Sequence, residues 1–220
     1  MKKVAFILSG CGVYDGSEIH EACAAMLALT RAGCEIRFCA PQGPQMHVMN
    51  HLAGEPAAGE SREMLVEAAR IARGDIEPLG QIDPAQVDAV VLPGGFGAAK
   101  NLCDFAVKGA DCTVNEEVAA FLKAAQAAGK PIGAMCIAPV VLARVFGPDL
   151  SPELTIGKDP ATAAQLEKMG ARHVPCPVGE AVVDSGHKLV TTPAYMLAGN
   201  IAEVFDGAAV FVEKLLDLCG

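Results

Sequence analysis

Short apolar segments in regular alternation with helical patterns constrain this chain more than any other feature. Residues 3–8 are apolar after Lys3 and run into Ser9-Gly10. Residues 17–32 place Ile19, Cys23, Met26, Leu27 and Thr30 at helical spacing and end at Gly33, which suits the left-handed position after a helix. Residues 34–40 alternate in polarity and stop at Pro41. Strand, helix and strand in that order predict a right-handed parallel crossover. Asp88-Ala89-Val90-Val91-Leu92-Pro93 reads as a buried strand, and residues 114–128 as a helix with Val118, Phe121, Leu122 and Ala125 on one face. Residues 130–136 read as the next strand and 138–145 as the next helix. A helix near 161–169, a hairpin of 181–184 with 188–191 turning at Ser185-Gly186, and a closing helix over 200–218 complete the pattern. Residues 41–87 break the rhythm and read as an insertion with its own helix near 61–73. The whole predicts a doubly wound α/β fold with a mainly parallel sheet, in a single domain over residues 1–220.

Composition narrows the function classes. A chain of 220 residues buries roughly 70% of its unfolded surface, so its core needs no disulfide or metal. With 17 basic against 26 acidic residues the formal net charge is −9, which argues against a nucleic-acid partner. No apolar run approaches the ~18 residues that span a bilayer, and the opening apolar stretch is too short for a secretory signal. Nine cysteines, an odd number with no C-x-x-C pair, suit a reducing compartment, and a cytoplasmic location is expected.

Gly10-Cys11-Gly12-Val13-Tyr14-Asp15-Gly16 follows the first strand, but its third glycine falls one position late for a dinucleotide fingerprint. The second strand ends without a ribose-binding acid. His47 and His51 lie four apart, as paired metal ligands do on a helix, yet no third ligand accompanies them and they read as surface residues. Cys136 is different. It ends an apolar strand and directly precedes a helix, the arrangement of a nucleophile elbow at the carboxyl end of a sheet. The helix N-terminus would favour its thiolate, and the N–H of Ile137 would be free for an oxyanion. Taken alone, Cys136 has a plainer reading as a small buried strand residue. Pro93-Gly94-Gly95-Phe96-Gly97 also follows a strand, where open α/β sheets bind ligands, and Gly95 is a candidate second oxyanion donor. Among the acids of the first βα region, compensation of the helix N-terminus accounts for Asp15 and Glu18. Glu21 lies deeper and is a candidate proton shuttle. Cys11, in the first loop at the carboxyl end, is a reserve nucleophile.

Together these residues resemble the class I glutamine amidotransferase-like superfamily, in its PfpI protease-like and Parkinson-associated deglycase branch. Leu92-Pro93-Gly94-Gly95 followed by Ala99-Lys100-Asn101-Leu102, the Cys136 elbow, and Glu21 twelve residues before Gly33 carry the likeness. Residues 7–21, 93–102, 135–139 and 191–197 resemble more closely the ElbB-type, isoprenoid-biosynthesis-associated glyoxalases, and the likeness runs over essentially the whole chain. It implies a flavodoxin-like sheet, Cys136 as nucleophile and Glu21 as its acid/base partner, with Glu18, one helical turn away, as the fallback. Gly95 and Ile137 are implied as oxyanion and substrate-binding groups. No metal and no cofactor are implied; the implied partners are a small dicarbonyl substrate and a second copy in a homodimer. The chain departs from many relatives in carrying Ile137 where they have histidine, and it contains no H-x-E. A cysteine–histidine hydrolase triad is therefore not implied.

A Cys–Glu pair suits aldehyde chemistry instead. The thiolate would add to glyoxal as a hemithioacetal, Glu21 would move a proton between the adjacent carbons through an enediol, and thioester hydrolysis would release glycolate. The expected activity is a glutathione-independent glyoxalase, a lyase, with a protein or nucleotide deglycase or a cysteine-based redox sensor as alternatives. The site is expected to be small and polar-rimmed. Glu21 is expected to be protonated against a Cys136 thiolate at neutral pH.

Overall fold

The computed structural model describes residues 1–220. Strand β1 (Lys3–Ile7) leads through a glycine loop to α1 (Ile19–Arg31), and β2 (Glu35–Ala40) returns parallel to β1. Next come a small hairpin, β3 (Met49–Asn50) with β4 (Glu55–Pro56), a one-turn α2 (Met64–Ala68), and β5 (Glu77–Pro78), which pairs parallel with β2. β6 (Ala89–Leu92), α3 (Phe96–Lys100), α4 (Phe105–Lys108), α5 (Glu116–Ala127), β7 (Ile132–Met135) and α6 (Pro139–Leu150) follow. β8 (Glu153–Leu154) and β9 (Arg172–His173) pair with each other around α7 (Pro160–Lys168). The chain closes with the antiparallel hairpin β10 (Val182–Asp184) and β11 (Leu189–Thr192), then α8 (Ile201–Asp217). No helix is long and apolar enough to cross a membrane.

The fold is the expected flavodoxin-like one. Its main sheet runs β10-β11-β7-β6-β1-β2-β5, parallel except at β10. From β1 the chain builds outward on one side to β2 and β5, then on the other to β6, β7 and β11. The switch point between β1 and β6 opens a crevice at their carboxyl ends, where such sheets take ligands. Side chains alternate between the two faces. Ile7, Val90, Leu92, Ile132 and Ala134 pack against α5 and α6, whereas Phe6, Leu8, Val91, Met135 and Val190 pack against α1 and α8.

Helix starts follow local chemistry. Asn115 Oδ1 accepts from the N–H groups of Glu117 and Val118, and Asn200 Oδ1 accepts from that of Glu203. The segment 41–87 differs from its sequence reading. The helix expected near 61–73 is confined to Met64–Ala68, because no side chain caps its start at Glu63. Beyond Ala69 the hydrogen bonds become irregular, spanning three, four and five residues, and Arg73 turns left-handed. So short a helix cannot propagate unaided. The same segment also contributes β5 to the main sheet, so it is a sheet edge as well as a loop.

Candidate active site

Cys136 sits between β7 and α6 with φ +58°, in the left-handed region that only glycine enters freely. Such a conformation costs ~1–3 kcal/mol and persists only when its surroundings enforce it. Here the N–H of Cys136 donates to Thr192 O at 2.9 Å, and that of Ala138 donates to Met135 O at 2.9 Å. The sharp turn lifts the sulfur to the carboxyl end of the sheet while leaving the residue only 9% exposed. The backbone N–H groups of Gly95 and Ile137 both hydrogen-bond the sulfur. Gly95 has φ +96°, and a side chain there would collide with the backbone of Gly16 and Glu18. The close approach thus requires the glycine.

Glu21 is fully buried on α1 and reaches the same point. Its Oε2 accepts from Gly94 N at 2.9 Å and its Oε1 from Tyr195 N at 3.1 Å, while the carboxyl also hydrogen-bonds the Cys136 thiol. A Cβ on Gly94 would strike both Glu21 Oε2 and Cys136 Cβ. Burial pushes the Glu21 carboxyl up to about 7, and the charge of Glu18 adds to that; the hydrogen bonds from Tyr195, Cys136 and Gly94 oppose it. Burial pushes the Cys136 thiol well above its ordinary value, and the Glu21 charge pushes it the same way. The N–H groups of Gly95 and Ile137 pull it back only in part. The expected thiol lowering by the helix N-terminus is therefore outweighed. Below pH ~7 the pair holds two protons; above it the carboxyl gives up its proton first and the thiol, raised further, keeps the other, the reverse of the protonated Glu21 beside a thiolate expected from the sequence.

A cavity of about 370 Å3 opens on the sulfur. Its walls include Phe96, Phe105, Ile137 and Met196, with Glu18 and Thr162 among the few polar ones. The site is therefore more apolar than the polar-rimmed one expected.

A model of the DJ-1/PfpI family matches residues 2–195 of the chain. The chain belongs to the DJ-1/PfpI family. Among its relatives, a human protein named glutamine amidotransferase-like class 1 domain-containing protein 3, mitochondrial, is 48% identical over 99% of this chain and 84% of its own length. The zebrafish ES1 protein, mitochondrial, is 35% identical over 97% of this chain and 84% of its own length. The crystal structure of an isoprenoid biosynthesis protein with an amidotransferase-like domain from Ehrlichia chaffeensis has a TM-score of 0.94 at 34% identity, over 100% of both chains. Glyoxalase III from Candida albicans shares the fold at a TM-score of 0.64 and 13% identity, over 99% of this chain and 97% of its own. The expected cytoplasmic location is corrected by these relatives, whose names place them in the mitochondrion. Free cysteines report a reducing environment, and nothing in that argument distinguishes one reducing compartment from another.

In this DJ-1/PfpI chain Cys136, Glu21, Gly95 and Ile137 converge as the sequence suggests, and Glu18 does not join them as an equal. Glu18 is the N-cap of α1, its Oε2 accepting from Glu21 N at 2.7 Å. Asp15 is spent elsewhere, its Oδ2 accepting from Met49 N at 2.7 Å to hold the β3 hairpin. Cys11 does not line the cavity, and burial raises its thiol as well. His51 Nε2 accepts from Tyr14 N at 3.2 Å, and no group of three metal-ligating side chains includes it or His47. Two contributors escape sequence reasoning. Tyr195 acts through its backbone N–H, which any residue there would supply. Asn101 is buried, its Nδ2 donating to Ser9 O and Asp15 O at 2.8 Å each and its Oδ1 accepting from Met46 N at 2.9 Å. Its place in the Ala99-Lys100-Asn101-Leu102 run that carries the family likeness is the one signal for it, and that run assigns it no role.

Proposed function

We propose that this protein is a cofactor-independent glyoxalase that converts glyoxal to glycolate through a covalent adduct on Cys136. The observation that carries the reading is the buried Glu21 carboxyl, held near neutrality and hydrogen-bonded to the Cys136 thiol. A general acid/base works best when its pKa lies close to the working pH. Above pH ~7 the pair holds one proton. Its transfer to the carboxylate creates the thiolate that attacks the aldehyde carbon. Glu21-H then protonates the new alkoxide, giving the hemithioacetal. As carboxylate it removes the hydrogen from that carbon and returns it to the neighbouring one through an enediol. Water cleaves the resulting thioester, restoring the thiol and releasing the hydroxy acid. The N–H groups of Gly95 and Ile137 stand where charge develops beside the sulfur, first on the thiolate and then on the adduct oxygen.

The same chemistry extends to a deglycase, whose substrate is the adduct of a dicarbonyl with an amine. A redox-sensing role finds less support, because sensor cysteines are accessible and of low pKa, whereas Cys136 is buried and its thiol is raised. The test is purified protein with glyoxal, chelator and no glutathione, followed by NMR for glycolate. Catalytic glycolate formation supports the reading. Stoichiometric loss of the thiol without glycolate would overturn it.

A further inference from the structure

The reaction ends with water cleaving a thioester, and none of the groups that hold the sulfur is free to activate that water. Glu21 is fully buried, and its oxygens are taken up by the Gly94 and Tyr195 N–H groups and the Cys136 thiol. The N–H groups of Gly95 and Ile137 are donors and accept no proton. A second set of polar side chains meets at the same cavity. Tyr195 and Glu18 line it, and His20, exposed on α1, hydrogen-bonds the Tyr195 hydroxyl through Nδ1 at 2.7 Å. Glu18 Oε1 stands 4.0 Å from the same Nδ1. The His20–Tyr195 bond serves neither element's own structure. Glu18 Oε2 caps α1, and the turn at Ala194–Met196 is closed by its own backbone bonds.

Resting on the glyoxalase reading for the acyl intermediate, we propose that Tyr195 and His20 form a proton relay that activates the water releasing the acyl group from Cys136. The Tyr195 hydroxyl donates to Nδ1 of neutral His20 and accepts from a water in the cavity. As the water oxygen bonds to the thioester carbon, one of its protons passes to Tyr195, and the phenolic proton passes to Nδ1. The C–S bond then breaks, and the sulfur takes the remaining acid proton by way of Glu21. Thiol, carboxylate and imidazolium are left, so atoms and charge balance, and the exposed His20 returns its proton to solvent. Burial raises the Tyr195 hydroxyl above its ordinary value, and the charges of Glu18 and Glu21 add to that, so the phenol passes a proton on rather than ionising. The Glu18 carboxylate beside Nδ1 favours the imidazolium that forms. Imidazole is the commonest general base, and here one hydroxyl extends its reach into the cavity.

The test separates the arrival of an acyl group at Cys136 from its departure. p-Nitrophenyl acetate delivers an acetyl group to the sulfur, and acid quenching with mass spectrometry of the peptide carrying Cys136 follows both steps. His20→Gln and Tyr195→Phe should each slow loss of the acetyl group by about 10²-fold, the lower end of what a positioned base provides, while its arrival stays within about threefold of the parent. Tyr195→Phe keeps the backbone N–H that Glu21 accepts, so the Cys136–Glu21 pair is unaltered. With glyoxal, the same variants should accumulate a glycolyl thioester on Cys136 that the parent does not. Loss of the acetyl group within about threefold of the parent in both variants, or slowed more by Glu18→Gln than by His20→Gln, overturns the relay and leaves the glyoxalase reading standing. Absence of glycolate overturns the glyoxalase reading instead, and the acetyl-enzyme then decides the relay by itself.

Discussion

At the scale of residues, the proton balance between the buried Cys136 thiol and the Glu21 carboxyl organises the site. Cys136→Ala is expected to abolish glyoxal turnover while thermal melting and circular dichroism stay close to the parent, since alanine removes only the sulfur atom from the core. Glu21→Gln should lower kcat/KM by about 10²–10⁴, the usual worth of a positioned acid/base, and Glu18→Gln by less than about tenfold because its oxygen can still cap α1. The reverse order would mean that Glu18 moves the proton. Iodoacetamide labelling of Cys136 should be slow at pH 5 and accelerate through about 7, where the pair gives up its first proton. In Glu21→Gln that inflection should vanish, leaving only the rise at alkaline pH from the buried thiol. An inflection that survives the substitution would detach Glu21 from the cysteine. The identities of Cys136 and Glu21 were legible because a strand end followed by a helix, and an acid too deep in a helix to serve its N-terminus, are local patterns. The pKa values were not, since burial of either group depends on residues far away in the chain.

At the scale of elements, the site is an assembly of loops, with the ends of β1, β6, β7 and β11 supplying backbone groups. Asn101 ties the loop after β1 to the segment that follows β2, through three hydrogen bonds to main-chain groups. Asn101→Ala leaves those partners buried without replacements and should cost about 2–4 kcal/mol in chemical denaturation. A change below about half a kilocalorie would show that water substitutes for the side chain. Long elements with strong periodicity, such as α1, α5 and α8, and the β10–β11 hairpin with its Ser185-Gly186 turn, were readable from sequence because their own residues determine them. β5 was not. Glu77–Pro78 has no alternation and becomes a strand only because the edge of β2 is there to receive it. The small β8–β9 pair likewise depends on partners separated by a whole helix.

At the scale of the molecule, Glu21 links the chemistry to stability. Its ordinary value is 4.5 and its folded value about 7, so between those limits the folded chain binds more protons than the unfolded one. Stability due to this group therefore falls as pH rises through that window, reaching a penalty of about 3 kcal/mol above it. His173, whose folded pKa is depressed by burial, acts in the opposite sense below its ordinary 6.5, so the parent curve alone is ambiguous. The difference between parent and Glu21→Gln removes that ambiguity. In urea denaturation it should shift in favour of the variant from pH 4.5 upward and level off above about 7. A difference independent of pH would mean that the carboxyl is not raised. The backbone at Cys136 has a consequence for ancestry as well. Glycine adopts that left-handed turn freely, so Cys136→Gly should be more stable than Cys136→Ala by about 1 kcal/mol. One base change turns a cysteine codon into a glycine codon, and that change erases the nucleophile while relaxing the fold. In a lineage that no longer needs the reaction, mutation and folding pull this position the same way. Under the proposed reading, only demand for the nucleophile keeps cysteine there.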